Sequence, residues 1–125
     1  MRKAVLRAGS GGGYNDHWLE QTLSNAIEEA NQKIVEQRKL QKSLASMATT
    51  AVAVLLKDHQ LVLANLGDSR CYRWRRQQLE LLSHDHTVAQ QLIDKGNLNE
   101  EQVQHTPYHH VLVRALGLDD AADVD

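Results

Sequence analysis

Residues 49–66 read TTAVAVLLKDHQLVLANL, and this stretch decides the fold. Two apolar runs, 49–56 and 61–65, are rich in branched aliphatic side chains and flank the polar turn 57–60. Such runs between polar residues are typical of β-strands. Because a parallel crossover needs about a dozen residues or more, the short turn predicts that the two strands pair antiparallel.

The strand pattern continues toward the C-terminus. Gly67 interrupts it, residues 70–74 resume it, and a polar turn at 75–78 leads into a further run at 79–82. The turns are again too short for a parallel crossover. We therefore predict an antiparallel β-meander in the middle of the chain.

A long helix is predicted before this meander. From Asp16 the apolar residues recur in steps of three and four, which places one apolar stripe along an α-helix of about 25 residues. Asn15 or Asp16 can cap its start with a side-chain oxygen. The polar run 36–43 is interpreted as a solvated helix end rather than a nucleic-acid face. The predicted stripe comprises Leu19, Leu23, Ala26, Ile27, Ala30 and Ile34.

The two ends of the chain have other patterns. Residues 1–15 contain a basic start and a Gly-Ser-Gly-Gly-Gly run, which predicts a flexible Gly-rich leader. They do not contain the Gly-Lys-Ser/Thr motif of a phosphate-binding loop. Residues 88–95 predict a helix that breaks at Gly96, and a second short helix capped by Asn99 precedes a turn around Pro107.

Composition limits the classes of function. The chain has 125 residues, enough for one domain or part of one. Its 14 basic and 16 acidic residues give a net charge of −2, so bulk charge does not direct it to nucleic acid or to anionic lipid. A single cysteine, Cys71, excludes an internal disulfide, and no apolar span is long enough for a membrane helix. We expect a cytoplasmic protein that binds neither nucleic acid nor membrane.

The densest candidate for a functional site is Gly67-Asp68-Ser69-Arg70 at the strand interruption. A carboxylate beside a glycine at a sheet end can bind a hard cation such as Mg²⁺ or Mn²⁺. The competing interpretation is a structural turn, in which Asp68 accepts hydrogen bonds from its own backbone and Arg70 pairs with an acidic group. Spacing alone favours the structural turn.

Two other clusters are weaker candidates. His84 and His86 are separated by one residue, so extended backbone points both imidazoles to one side, as a zinc or manganese site requires. Convergence of three or four ligands is not visible from the sequence, although further histidines follow at positions 105, 109 and 110. Residues 70–76 interleave basic and aromatic side chains, but strand parity separates Tyr72 and Trp74 from Arg73, so packing is favoured over nucleic-acid binding.

The order of these elements resembles a known family. A helix, Met47-Ala48-Thr49-Thr50, a hairpin into residues 64–70, residues 79–87 and then 107–117 are similar to the middle of bacterial metal-dependent (PPM-type) protein serine/threonine phosphatases of type 2C. The likeness covers roughly residues 17–120. It implies an α+β fold that is part of an α-β-β-α sandwich of two antiparallel sheets. It also implies a partial domain over 16–125 and a flap over about 87–107.

The resemblance also implies a chemistry. The family uses two Mg²⁺ or Mn²⁺ ions bridged by a water that attacks phosphorus. The main ligands come from Asp-Gly and Asp-Asn motifs, and this sequence contains neither dipeptide. Asp68 is similar to a ligand of a third, weaker metal site, and Asp85, His86 and Thr87 lie at the start of the flap. We therefore assign no catalytic residue within this chain and expect it to bind no metal tightly.

Two functions remain open. The chain is either part of a phosphatase that hydrolyses phosphoserine and phosphothreonine in proteins, inactive in isolation, or a phosphatase-like interaction module without catalysis. The full-length family implies a phosphoprotein substrate in the first case. Strand edges left uncovered predict self-association. One departure from the family is Ala48, which stands where glycine is usual and is tolerated only if that backbone avoids positive φ.

Overall fold

The structure, a computed structural model, describes residues 5–7, 16–122 and 124. Five strands and three α-helices follow one another in the order β1, α1, β2, β3, β4, β5, α2, α3, with one 3₁₀ turn, Lys42–Leu44, after α1. The elements are β1 (Val5–Arg7), α1 (Asp16–Leu40), β2 (Ala51–Lys57), β3 (Gln60–Leu66), β4 (Tyr72–Arg75), β5 (Gln78–Leu81), α2 (Val88–Asp94) and α3 (Glu100–Gln104).

The predicted hairpin over residues 49–66 is confirmed. Strands β2 and β3 pair antiparallel over seven residue pairs, from Ala51 opposite Leu66 to Lys57 opposite Gln60. The turn is tighter than the sequence indicates, because only two residues separate the strands and Asp58 adopts a φ of 52°. In this sheet β3 is central, with β1 on one side and β2 on the other.

The long helix α1 rests on this sheet, as predicted, and the two elements enclose the core. Leu19, Leu23 and Ile27 of α1 pack with Val62 and other residues of β3. The buried face is narrower than the predicted stripe, since Ala26 is exposed and the stripe continues in four-residue steps through Asn31 and Val35. The core cluster also contains Ala64, Leu66, Leu116 and Val124.

Part of the predicted leader forms a strand. Residues Val5–Arg7 are β1 and pair antiparallel with the start of β3, with Val5 opposite Val62. For these three residues the expectation of a flexible leader is wrong, because β3 offers them an unpaired edge. The rest of the predicted leader and the candidate cap Asn15 lie outside the described residues.

The predicted meander is divided into two sheets. Strands β4 and β5 form a separate antiparallel hairpin, with Tyr72 opposite Leu81 and Arg75 opposite Gln78. Gly67 causes the division, because its φ of +108° turns the chain away from the line of β3 before β4 begins. The antiparallel pairing was predicted correctly, whereas the continuity of the sheet was not.

The C-terminal third follows the sequence prediction closely. Thr87 caps α2, and Asn99 caps α3 with a reciprocal capping box to Gln102. Gly96 separates the two helices. Asn31 of α1 is fully buried and binds the segment after α3, accepting from the Gly117 amide at 2.6 Å and donating to the Asp119 carbonyl at 3.1 Å. None of the described helices is long and apolar enough to cross a membrane.

Candidate functional site

Two loops meet where β3 ends. We call residues 67–70, which follow β3, the Gly67 loop, and residues 83–87, which follow β5, the His86 loop. Both carry the residues that the sequence singled out, and the backbone brings them into direct contact, since the His86 amide donates to the Gly67 carbonyl at 2.9 Å. The site is therefore assembled by the end of one sheet and the end of the β4–β5 hairpin.

Gly67 is the closest point of approach between the loop and the sheet. In addition to its positive φ, a Cβ at this position would lie 2.3 Å from Thr50 Cγ2 and 2.7 Å from Thr50 Cβ. The Gly67 amide donates to His86 Nδ1 at 3.0 Å, so the same residue both donates to and accepts from His86. Only glycine combines this backbone conformation with this lack of space.

His86 is a buried structural histidine of this site. Its side chain is almost fully enclosed, with 5% of the residue exposed. Because Nδ1 accepts the Gly67 amide, the neutral ring carries its proton on Nε2. Arg114 Nη1 lies 3.5 Å from that Nε2, which makes it a close cationic neighbour rather than a donor to it. The predicted site residue His86 thus positions the Gly67 loop.

Asn65, the last polar residue inside β3, anchors the His86 loop to the sheet. Its side chain is buried, with 2% of the residue exposed, and Nδ2 donates to the His84 carbonyl at 2.6 Å. Its Oδ1 is buried, and no partner for it exists among the described residues. A buried carbonyl oxygen without a partner costs about 1–3 kcal/mol, so this position is one where a water or a further protein group would bind.

The two loops are also joined at their outer ends. Arg70 forms a bidentate ion pair with Asp85, with Nη2 at 2.7 Å and Nε at 3.0 Å from the carboxylate oxygens. Hydrogen bonds to Asp85, and then to Tyr72, raise the pKa of Arg70, which stays charged at any physiological pH. Ser83 Oγ accepts from the Cys71 amide at 2.9 Å. The predicted partner of Arg70 is therefore confirmed as an acidic group, and Asp85 serves as that partner.

Asp68 sits between these contacts and takes part in none of them. It lies two residues after the end of β3 and is half-buried. Across residues 16–122, the Asp68 carboxylate forms no hydrogen bond or ion pair. The predicted hydrogen bonds from nearby backbone amides to this carboxylate are therefore not formed. The neighbouring Ser69 is held by Thr50, with 2.7 Å between the two hydroxyl oxygens. The Gly67 loop is thus held in place by its neighbours, while the Asp68 carboxylate within it has no partner among the described residues.

Thr87 begins α2 and ends the His86 loop. Its Oγ1 accepts from the Gln90 amide at 3.1 Å, which satisfies one first-turn donor of the helix. The segment after α3 then pairs with the His86 loop. The amide of Val113 donates to the His86 carbonyl at 2.9 Å, and Thr87 forms an isolated antiparallel β-bridge with Leu112. Residues 86–88 and 111–113 therefore lie side by side, at the two ends of a segment that includes the predicted flap of residues 87–107.

The last residue of α2, Asp94, is held to the His86 loop through a hydrogen bond. His84 Nε2 lies 2.8 Å from Asp94 Oδ2, and Gln90 donates to the other carboxylate oxygen at 2.9 Å. His84 is thus occupied by a structural partner rather than placed beside His86. His109 and His110 make other contacts, because His109 Nδ1 lies 2.8 Å from the Thr106 carbonyl oxygen and its ring packs at a tilted angle against that of His110.

A metal centre requires several converging ligands. In the part of the chain that the structure describes, no group of three His, Cys, Asp or Glu side chains is close enough to hold an ion. Asp68 alone supplies at most one ligand, whereas Mg²⁺ and Mn²⁺ prefer about six oxygen ligands, several of them water. The residues present therefore do not form a complete site for the two ions that the resemblance implies.

Sequence reasoning missed residues that hold the site without belonging to a reactive motif. Asn65, Thr50 and Arg114 lie within the segments that carry the family resemblance, but the sequence analysis assigns them no role. Asn65 carried a signal, because a single amide inside the apolar strand QLVLANL must find a partner once it is buried. Thr50 and Arg114 carried none, since their contacts are made across 19 and 28 residues of sequence.

Comparisons with known protein sequences identify a family that this chain resembles. Residues 11–92 match the family described as protein phosphatase 2C. The chain is 35% identical over 107 residues to the serine/threonine phosphatase stp of Listeria monocytogenes, which covers 86% of this chain and 42% of that protein. The chain thus spans less than half the length of that relative.

Solved structures give the same result for the fold. The crystal structure of a serine/threonine phosphatase from Staphylococcus aureus superposes with a TM-score of 0.82 at 26% identity, over 93% of this chain and 46% of that one. The catalytic domain of the protein phosphatase PstP, solved with two manganese ions, has a TM-score of 0.71 at 29% identity over 94% of this chain and 47% of that one. The chain belongs to the protein phosphatase 2C family.

Proposed function

We propose that this chain is part of a protein serine/threonine phosphatase, a phosphoric monoester hydrolase that acts on phosphoserine and phosphothreonine in proteins. Family membership supports the reaction class. The observation that carries the proposal is the pair of interlocked loops just after β3, within which the Asp68 carboxylate has no partner among the described residues. In this proposal Asp68 ligates a third, weaker metal site, and Asp85, His86 and Thr87 position the flap beside the substrate.

The described residues do not complete a metal centre, so we further propose that the 125-residue chain alone is inactive. In the family, the ions supply activation of the attacking water, and the resemblance places their main ligands in motifs that this sequence lacks. What the chain itself contributes is a rigid support. The Gly67–His86 and Arg70–Asp85 contacts fix Asp68 relative to the sheet before any ion binds. A cytoplasmic setting stays a prediction from the single cysteine.

The test is turnover by the purified 125-residue chain. With Mn²⁺ present, we expect hydrolysis of p-nitrophenyl phosphate and of a phosphothreonine peptide to equal that of a control without protein. Turnover above the control, abolished by Asp68→Asn, would contradict the inactivity. Titration calorimetry with MnCl₂ provides a second measurement, in which we expect no binding tighter than the millimolar range, as for a site with too few ligands.

A non-catalytic interaction module is the second candidate. One observation favours it, namely that hydrogen bonds and an ion pair between protein groups hold the two loops to each other and to β3. A module of this kind would bind a phosphopeptide and release it intact. Binding of a phosphothreonine peptide that is tighter than that of its unphosphorylated form, in the presence of EDTA and without release of phosphate, would favour the module over the enzyme fragment.

A further inference from the structure

The β4–β5 hairpin has two chemically different faces. The register places Trp74 opposite Leu79 on one face, and Arg73 opposite Glu80 and Arg75 opposite Gln78 on the other. The second face supplies most of the lining of a concavity of about 830 Å³, to which Leu79 of the first face and Arg76 of the turn also contribute. We call the second face, together with Arg76, the basic face. The residues that line the concavity are Arg73, Arg75, Arg76, Gln78, Leu79 and Glu80.

The positive charge of this face is only partly neutralised. Arg73 is paired, since its Nε lies 3.1 Å from Glu80 Oε2. Arg75 and Arg76 are exposed, and neither forms an ion pair with any residue that the structure describes. Elsewhere the exposed cations Lys33 and Arg70 have carboxylate partners. The hairpin tip therefore carries two adjacent arginines that have no carboxylate partner among the described residues.

The backbone at the hairpin tip adopts positive φ values at two residues that are not glycine. Arg76 and Gln77 form the two-residue turn with φ values of 50° and 61°, the type I′ conformation that Asn-Gly adopts with least strain. Residues other than glycine and asparagine are unfavourable there. Departures of this kind tend to occur where a side chain serves a function that stability alone would not select.

The basic face lies within reach of the candidate site. Seven residues separate Asp68 from Arg75, which at about 3.3 Å per residue is at most about 23 Å. An extended peptide covers a similar distance per residue. A substrate whose phosphorylated side chain lies beside Asp68 would therefore reach the basic face within about seven residues.

We propose that the basic face binds acidic segments of the protein substrate, located within about seven residues of the phosphorylated side chain. Two guanidinium groups that have no ion-pair partner in the described part of the chain, beside a concavity, match successive carboxylates of an extended chain. The preference for an acidic protein segment over nucleic acid follows from the face itself, because Trp74 and Tyr72 lie on the opposite side and are not interleaved with the arginines for base stacking. The inference rests on the proposed function for the identity of the substrate, although not for the binding itself.

The experiment measures binding by fluorescence anisotropy with the full 125-residue chain at low salt. The probes are a phosphothreonine peptide with four glutamates at positions four to seven after the phosphothreonine, and the same peptide with glutamines. We expect tighter binding of the glutamate peptide, and its affinity should fall as NaCl is raised. The variant Arg75→Gln with Arg76→Gln should weaken that binding about threefold to tenfold, as expected for two exposed ion pairs.

The matched control removes two exposed cations elsewhere, through Lys42→Gln with Lys95→Gln, and should leave the affinity within a factor of about two. A further variant, Arg76→Asn with Gln77→Gly, installs the favourable turn, so it should raise the thermal midpoint while lowering the affinity for the glutamate peptide. Lower affinity in a more stable protein separates a binding role from a structural one.

Several outcomes would overturn the inference. These are equal binding of the glutamate and glutamine peptides, equal losses in the hairpin and control variants, or tighter binding of a single-stranded oligonucleotide that depends on the same arginines. The failure of the proposed function is distinguishable. An unphosphorylated glutamate peptide could bind the wild type with the same dependence on Arg75 and Arg76, while a phosphatase that contains this chain together with the missing metal ligands cleaves no phosphopeptide. That result would support the basic face and contradict the phosphatase assignment.

Discussion

Replacing Gly67 by alanine should destabilise the packing of the Gly67 loop at the candidate site. The substitution adds one methyl group at the point where the Gly67 loop contacts Thr50, the residue before β2, and the His86 loop. That methyl group would lie 2.3 Å from Thr50 Cγ2, well inside van der Waals contact, and the backbone would have to keep a φ of +108° that side chains rarely tolerate. The Thr50 side chain cannot simply rotate away, since its hydroxyl is bound to Ser69.

The magnitude follows from two costs. A residue other than glycine in the left-handed region costs about 1–2 kcal/mol, and overpacking costs about 1–3 kcal/mol. We therefore expect Gly67→Ala to lower the free energy of unfolding by about 2–5 kcal/mol. A domain of this size has roughly 5–15 kcal/mol in total, so the variant should remain measurable in most of that range.

The assay is urea denaturation followed by circular dichroism, with two companion variants. Gly96→Ala is the matched control, because Gly96 also has a positive φ of +72° but nothing lies within 4 Å of its Cβ position. It should cost only about 1–2 kcal/mol. Thr50→Ser removes Cγ2 and keeps the hydroxyl, so in the Gly67→Ala background it should restore part of the loss. Equal costs at Gly67 and Gly96, or no rescue by Thr50→Ser, would refute the reasoning.

Three further predictions concern the rest of the fold. Asn31→Ala should lower the free energy of unfolding by about 1–3 kcal/mol in the same assay, because it leaves the buried Gly117 amide without its partner; no measurable loss would argue against this contact. Hydrogen bonds from Gln32 and then from the Ala122 amide lower the pKa of Glu28 below 4.5, so its stabilisation is present above pH 4.5 and lost as the pH falls through the folded-state pKa. Glu28→Gln should flatten that part of a stability profile against pH, and an unchanged profile would contradict the assignment. The wild-type chain should self-associate in sedimentation velocity, and Val54→Lys, on the exposed face of the edge strand β2, should reduce this; a monodisperse wild-type monomer would exclude it.

The sequence predicts local structure well where the signal is periodic or chemical. The bounds of α1 follow from the spacing of its apolar residues, and the capping of α3 by Asn99 follows from a short polar side chain placed before a helical run. The ion pair of Arg70 with an acidic group was also anticipated. In each case the determining interaction lies within a few residues or within a recognised motif.

Contacts between distant segments could not be predicted in the same way. Asn31 occupies a position on the buried face of α1 that the apolar pattern left out, and its partners lie 86 and 88 residues away. The pairing of Val5–Arg7 with β3 depends on an open strand edge that no local pattern shows. The separation of β4 and β5 from the first sheet depends on the conformation of Gly67, whose direction of turn the sequence does not specify.

The most direct test of the central claim is a chimeric phosphatase. Residues 16–122 of this chain would replace the matching segment of the Listeria monocytogenes serine/threonine phosphatase stp, and turnover of a phosphothreonine peptide with Mn²⁺ would be compared with that of the isolated chain. The account predicts turnover by the chimera, a reduction by Asp68→Asn, and none by the chain alone. A folded chimera that lacks turnover while the parent enzyme is active would contradict it.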